Sequence, residues 1–355
     1  NPPAIEWTRT FSAYSRAQGF WVEQTSDCGF VAAGMTYGSD TAADFFLVKT
    51  NASGELEWQR TYGGPRTDQA LCARQTSDGG YILAGWGQQP YPGAAPDPQV
   101  YVVKTDSIGM LQWQRVYVVD TIEYGYCICE TVDGGYALTA INPGSDSGLC
   151  IFKLDGAGAV GWQRAYDVGY GHWIDFVPVV QTSDGGFLLG SRTLAKTDAT
   201  GGLLWKRFYD HVGQAYSVLQ THEGGYVATG PGSAELTPGC SSSVYLLKTD
   251  AAGNVQWRQL YQGHGWDAGY SVKQTPDHGF IVASTLEPHL LADRGWIIRT
   301  DSLGNGRWSV TLDVPSNARS ACVASDGGYV VAGTKEDPVS GREHLGLWKL
   351  APEGE

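Results

Sequence analysis

Three sequence markers each recur seven times along the chain, and a sevenfold internal repeat leaves few folds open. The first is an acidic residue, a Gly-containing pair and an aromatic, as in Asp78-Gly79-Gly80-Tyr81, Asp27-Cys28-Gly29-Phe30 and Asp277-His278-Gly279-Phe280. The second is a tryptophan: Trp7, Trp58, Trp113, Trp162, Trp205, Trp257 and Trp308. Between them stands a cation that opens a turn: Lys49, Lys104, Lys153, Lys196, Lys248, Arg299 and Lys349.

Each copy divides into four short alternating segments, A to D, which in the second copy run 70–76, 81–86, 100–105 and 111–117. The A–B connection is Ser-Asp-Gly-Gly and the C–D connection is Thr-Asp-Ser-Ile-Gly, both tight turns in which glycine supplies positive φ. Four antiparallel strands in a period of roughly 40 to 55 residues make one propeller blade. The chain opens with a D segment that has no A, B or C before it, and it closes with a C segment at 345–350. The expected fold is therefore an all-β, seven-bladed β-propeller of four-stranded antiparallel blades. Its ring is closed by the N-terminal strand, which completes the last blade and leaves no open edge. Blade limits are placed at 18–62, 69–117, 125–166, 175–209, 214–261, 268–311, and 317–350 with 4–11, as a single domain over 1–355.

The wedge shape of such a ring assigns the recurrent residues. Inner A strands crowd the axis and carry small side chains: Ala73, Val218, Val272 and Ala321, with Cys72, Cys127, Cys129 and Cys322, read as buried thiols. Outer D strands need large fillers, hence the tryptophans. The aspartates of the first marker are turn formers, and the cation is expected at the surface or between blades.

The order of markers resembles the repeats of secreted seven-bladed propellers of bacteria and archaea, "GG…D…DGGY…aG…KTDxxGxxxW". The second copy carries Tyr62-Gly63-Gly64, Asp78-Gly79-Gly80-Tyr81, Ala84-Gly85, Lys104-Thr105-Asp106 and Trp113. The resemblance implies export and an extracellular or cell-surface location, and it transfers no catalytic residue. A chain beginning at Asn1 without Met agrees with a processed, exported form and equally with a chain trimmed for other reasons.

A formal net charge of -13 disfavours nucleic acid and anionic membrane, and no apolar run is long enough to span a bilayer. The seven cysteines fit neither a zinc pattern nor a regular disulfide framework. No nucleophile elbow, HExxH, phosphate-binding glycine loop or cofactor constellation is present, so neither an enzyme nor a cofactor is expected. Asn51-Ala52-Ser53 is a lone glycosylation sequon in a turn.

A residue repeated in every blade serves the blade, so function belongs to what is not repeated. The B–C and D–A loops share one face and vary; 87–99 and 232–243 are long, whereas Ser191-Arg192 is nearly the whole B–C loop of blade four. That face gathers Tyr91, Tyr170, Trp173 and Trp266, the candidate binding residues, with Asp175, Asp210 and Asp267 nearby. His172, His211 and His264 are weak metal candidates, joined on the same face by His289 and His344. The expected function is a non-catalytic extracellular structural or interaction protein that self-associates into a surface layer or filament. A lectin-like, glycan- or ligand-binding propeller is the alternative, and a hydrolase is a weaker one.

Overall fold

The computed structural model describes residues 2–38, 42–88, 98–118, 124–141, 148–167, 176–210, 212–233, 242–263, 265–286, 293–312 and 316–353. They form seven four-stranded antiparallel sheets arranged as a seven-bladed propeller, with no helix among the described residues. Strand β1 (Ile5–Phe11) precedes the first complete blade, which is β2 (Arg16–Gln24), β3 (Phe30–Tyr37), β4 (Ala43–Thr50) and β5 (Leu56–Tyr62). The second blade is β6 (Asp68–Gln75), β7 (Tyr81–Gly87), β8 (Gln99–Thr105) and β9 (Leu111–Tyr117). The third is β10 (Tyr124–Glu130), β11 (Tyr136–Ile141), β12 (Leu149–Leu154) and β13 (Val160–Tyr166). The fourth is the shortest: β14 (Val179–Gln181), β15 (Phe187–Gly190), β16 (Thr193–Thr197) and β17 (Leu203–Phe208). The fifth is β18 (Ser217–Gln220), β19 (Tyr226–Ser233), β20 (Ser242–Thr249) and β21 (Val255–Tyr261). The sixth is β22 (Ala268–Gln274), β23 (Phe280–Leu286), β24 (Arg294–Thr300) and β25 (Gly306–Thr311). The last combines β26 (Ser320–Val323), β27 (Tyr329–Glu336) and β28 (Glu343–Leu350) with β1, whose Phe11 pairs with Leu345 and Ile5 with Leu350. The ring closes as its marker order requires.

Each tryptophan packs on the next blade. Trp58 meets Tyr81, Trp113 meets Tyr136, and so on round to Trp308 and Tyr329, with ring centroids 5.5–6.2 Å apart. The rings are half-buried, filling the widening gap between blades as the wedge argument demands. An arginine two residues on covers the outer face of several, as Arg60 does over Trp58 at 5.6 Å. The glycine of the following C–D turn must accept that contact. Gly109 has φ of 76° and a Cβ there would lie 2.7 Å from the Trp58 ring, so both backbone and space exclude a side chain.

The recurrent cation is buried inside its own blade, which corrects the expectation of a surface or inter-blade partner. Lys104 Nζ donates to Asp78 Oδ2 at 2.8 Å and to the Thr105 carbonyl at 2.8 Å. The reason is register: Tyr81 pairs with Thr105, so the end of strand C lies against the start of strand B and under the A–B turn. All seven turn carboxylates have such a partner, from Asp27 with Lys49 to Asp326 with Lys349. They also form the turn, as expected: Asp78 Oδ1 accepts from Gly80 N at 2.9 Å. Asn51 occupies the corresponding place of a C–D turn aspartate. Its Oδ1 accepts from Ser53 N and Glu55 N and its amide donates to Glu55, so the sequon asparagine is a turn former.

A second ring of contacts joins the blades at their inner strands. The turn of one blade donates a backbone N–H to the last side chain of the next A strand: Ser26 to Gln75, Ser77 to Glu130, Val132 to Gln181, Ser183 to Gln220, His222 to Gln274 and Ser325 to Gln24, at 2.7–2.9 Å. At the sixth-to-seventh junction the donor position is Pro276, which has no N–H, and the acceptor position is Val323. Both partners are missing together.

Candidate functional site

The inner strands carry more than the small residues expected of them. β2, β6, β10 and β22 each contain a bulge, and the extra residue is Phe20, Leu71, Tyr126 or Tyr270. A bulged residue lies outside the ladder and can be aimed away from the sheet, here toward the axis. The same place in the fifth and seventh blades holds Tyr216 and Arg319, and in the fourth Phe176 reaches the axis from one residue earlier. In β2, β10 and β22 the residue before the bulge is glycine, which permits close approach: at Gly125 a Cβ would lie 2.3 Å from the Gly85 carbonyl of the previous blade.

These side chains form a collar. Tyr216 and Tyr270 stack at 5.4 Å and 26°, Phe176 lies edge-on to Tyr270 at 5.9 Å, and Tyr126 is 6.3 Å from Phe176. The Arg319 guanidinium sits over the Tyr270 ring at 3.9 Å. The collar opens on the B–C and D–A side, where Trp86 and Tyr124 extend it, through a cavity of about 390 Å³. Beneath it the channel narrows to a cavity of about 50 Å³, room for a few waters.

A second tier lies below the collar. Arg74 and Lys273 both face the Trp21 ring, at 4.5 and 5.3 Å, and Glu23 stands 3.8 Å from Arg74. Burial lowers the Lys273 ammonium from its ordinary value, and Arg74 pushes it the same way while Glu23 opposes. Burial works against the Arg74 charge, but Glu23 together with Cys72, Cys127 and Cys129 more than offsets it, and the guanidinium is held above its ordinary value. Cys72 and Cys127 meet at the same depth, Sγ to Sγ 3.5 Å, and burial pushes the Cys72 thiol well above its ordinary range. Cys72, Cys127 and Cys322 are buried as expected, whereas Cys129 is half-buried. Among the described residues, no pair of carboxylates lines either cavity.

Of the four candidate binding residues, Trp266 falls among the described residues. The residue is 56% exposed on the loop face. The loop beneath it is fixed: Ser242 N donates to the Gly265 carbonyl at 3.2 Å, and Ser242 Oγ to the Asp267 carbonyl at 2.9 Å. Asp267 itself is fully buried and accepts from Gly263 N at 2.8 Å, as Asp68 accepts from Gly64 N at 3.0 Å, so it shapes the D–A loop. Asp210 accepts on its backbone carbonyl from Arg258. Tyr91, Tyr170, Trp173, Asp175, His172, His211, His264 and His289 lie outside the described residues. His344 contacts Ser12 Oγ at 3.2 Å, and no cluster of three potential metal ligands occurs among the described residues.

No protein-family model and no curated protein sequence matches the chain. Solved structures do match, at identities that speak for the fold alone. A streptogramin B lyase is 12% identical with a TM-score of 0.61, covering 97% of both chains. The extracellular domain of BT4673 from B. thetaiotaomicron is 12% identical with a TM-score of 0.57, covering 96% of this chain and 42% of that one. YCF48 bound to a D1 peptide is 10% identical with a TM-score of 0.54, covering 99% and 100%.

Proposed function

We propose that this chain is a non-catalytic interaction propeller that works outside the cell and binds a protein partner, a second copy of itself, through its loop face. The observation that carries the reading is Trp266: a large ring left exposed on a loop whose backbone is pinned to the neighbouring blade. Exposed aromatic anchors on rigid supports are where contact energy concentrates. The repeated acidic, cationic and tryptophan residues are consumed by the scaffold, which leaves this face for recognition. An exterior location is supported by the repeat pattern and by the likeness to an extracellular domain. A surface layer or filament is the assembly such contacts would build, with Tyr91, Tyr170 and Trp173 as further anchors.

Two copies would each carry a net charge of -13, so association should strengthen as salt screens their repulsion. Sedimentation over a range of concentration and salt tests this. Trp266→Ala should weaken association by about 2 kcal/mol, roughly 30-fold, with an unchanged circular dichroism spectrum. A wild-type chain that stays monomeric at all concentrations and salts, or a variant that associates unchanged, overturns the reading. Loss of binding on a glycan array alone would favour the lectin alternative.

A further inference from the structure

We propose that the mouth of the axial channel is a binding site for an aromatic carboxylate, about the size of one tryptophan. This goes beyond the Trp266 contact and does not depend on it. The mouth has the volume of a small-ligand pocket, about 390 Å³, while the 50 Å³ constriction below stops a ligand from threading the ring. Tyr126, Phe176, Tyr216 and Tyr270 present rings in stacked, tilted and edge-on arrangements, the packing that accepts another planar ring.

Charge selects the rest of the ligand. The chain is strongly acidic, yet among the described residues its axis carries Arg74, Lys273 and Arg319, with the carboxylate Glu23 facing Arg74. Arg319 also acts on the Asp293 carboxyl, and no ion pair joins them among the described residues. Arg319 uses its flat face against Tyr270, and its buried Nε has no hydrogen-bond partner among the described residues. A guanidinium held by one face keeps its edge for a bidentate carboxylate. The arrangement therefore recognises a ring and a carboxylate at once, offered either by a free aromatic acid or by the C-terminal residue of a chain.

Calorimetric titration of the full chain tests this with matched probes: N-acetyl-tryptophan against N-acetyl-tryptophanamide, and Gly-Gly-Trp against its C-terminal amide. The acids should bind and each amide should bind at least about tenfold more weakly, the loss of a charge-assisted contact. Arg319→Gln should bring acid and amide together. Arg319→Lys should keep part of the preference, and Tyr216→Leu should weaken both probes equally. Melting curves confirm that each variant is folded. Binding of both acids assigns the site to the shared chemistry, and binding of the tripeptide acid alone assigns it to a chain terminus. Equal binding of acid and amide, no binding of either at millimolar concentration, or an acid preference that survives Arg319→Gln in a folded variant overturns the proposal.

Discussion

The junction between the sixth and seventh blades offers a test of the inner ring of contacts, because the fold itself has deleted both partners there. Six junctions carry an N–H to side-chain oxygen bond of 2.7–2.9 Å, and the seventh has Pro276 facing Val323. Pro276→Ser supplies the donor and Val323→Gln the acceptor. Alone, each should destabilise. The proline change returns about 0.4–1 kcal/mol of chain entropy to the unfolded state. The valine change exposes part of a side chain that packs against the core cluster around Tyr329 and Leu350, at about 0.5–1 kcal/mol. Together they should complete the ring. A net hydrogen bond contributes about 0.5–1.5 kcal/mol, and the exposed setting of its six counterparts favours the lower half of that range. The double variant should therefore be more stable than the sum of the single changes by about 0.5–1 kcal/mol. Urea unfolding of all four proteins at a common m-value measures this coupling. Additivity within about 0.2 kcal/mol would refute the idea that this contact is an independent fastener between blades.

Two further outcomes follow from the A–B turns. Cys28 and His278 adopt φ of 65° and 64° where the other five copies use glycine, so Cys28→Gly should stabilise the chain by about 1 kcal/mol in the same unfolding assay. His278→Gly should gain less, since it forfeits the 2.5 Å contact of His278 Nδ1 with Glu223 of the previous blade; equal gains would refute the distinction. Partial burial raises the carboxyls of Asp27, Asp78 and Asp184, but hydrogen bonds from the buried lysine, a threonine and a glycine N–H outweigh it and hold each at about 2. These pKa values are depressed on folding, so the stabilisation is complete above the ordinary range near 4 and is lost as pH falls from about 4 through 2. Lys104→Gln should make the fall of the urea midpoint over that window shallower, and an identical slope would remove Asp78 from the account.

The fold was legible because its determinants repeat in identity. Trp58, Lys104 and Asp78 have counterparts of the same type in nearly every blade, since each meets the same neighbour in the same register. Their partners were harder to read: nothing local says that Lys104 turns inward to Asp78 rather than out to solvent, because that follows from the pairing of Tyr81 with Thr105. In the sequence Asp267 stands beside the loop aromatic Trp266, and nothing local separates the two. Its role of capping Gly263 becomes visible only beside Asp68 and Gly64.

The axial collar escaped the sequence reading because its position repeats while its residues do not. Phe20, Leu71, Tyr126, Tyr216 and Tyr270 each lie five residues before the threonine that opens the A–B turn: Thr25, Thr76, Thr131, Thr221 and Thr275. Arg319 stands five before Ala324, the residue in that place in the seventh blade. Glu23, Arg74 and Lys273 share a second fixed offset, two residues before their threonines. A search for recurring residue types passes over both positions, and a whole-chain charge of -13 gives the wrong sign for a channel lined by one residue per blade. In a ring of equivalent blades, scaffold is found where position and identity both repeat. A site is sought where position repeats and identity varies, because there each blade delivers a different side chain to one common axis.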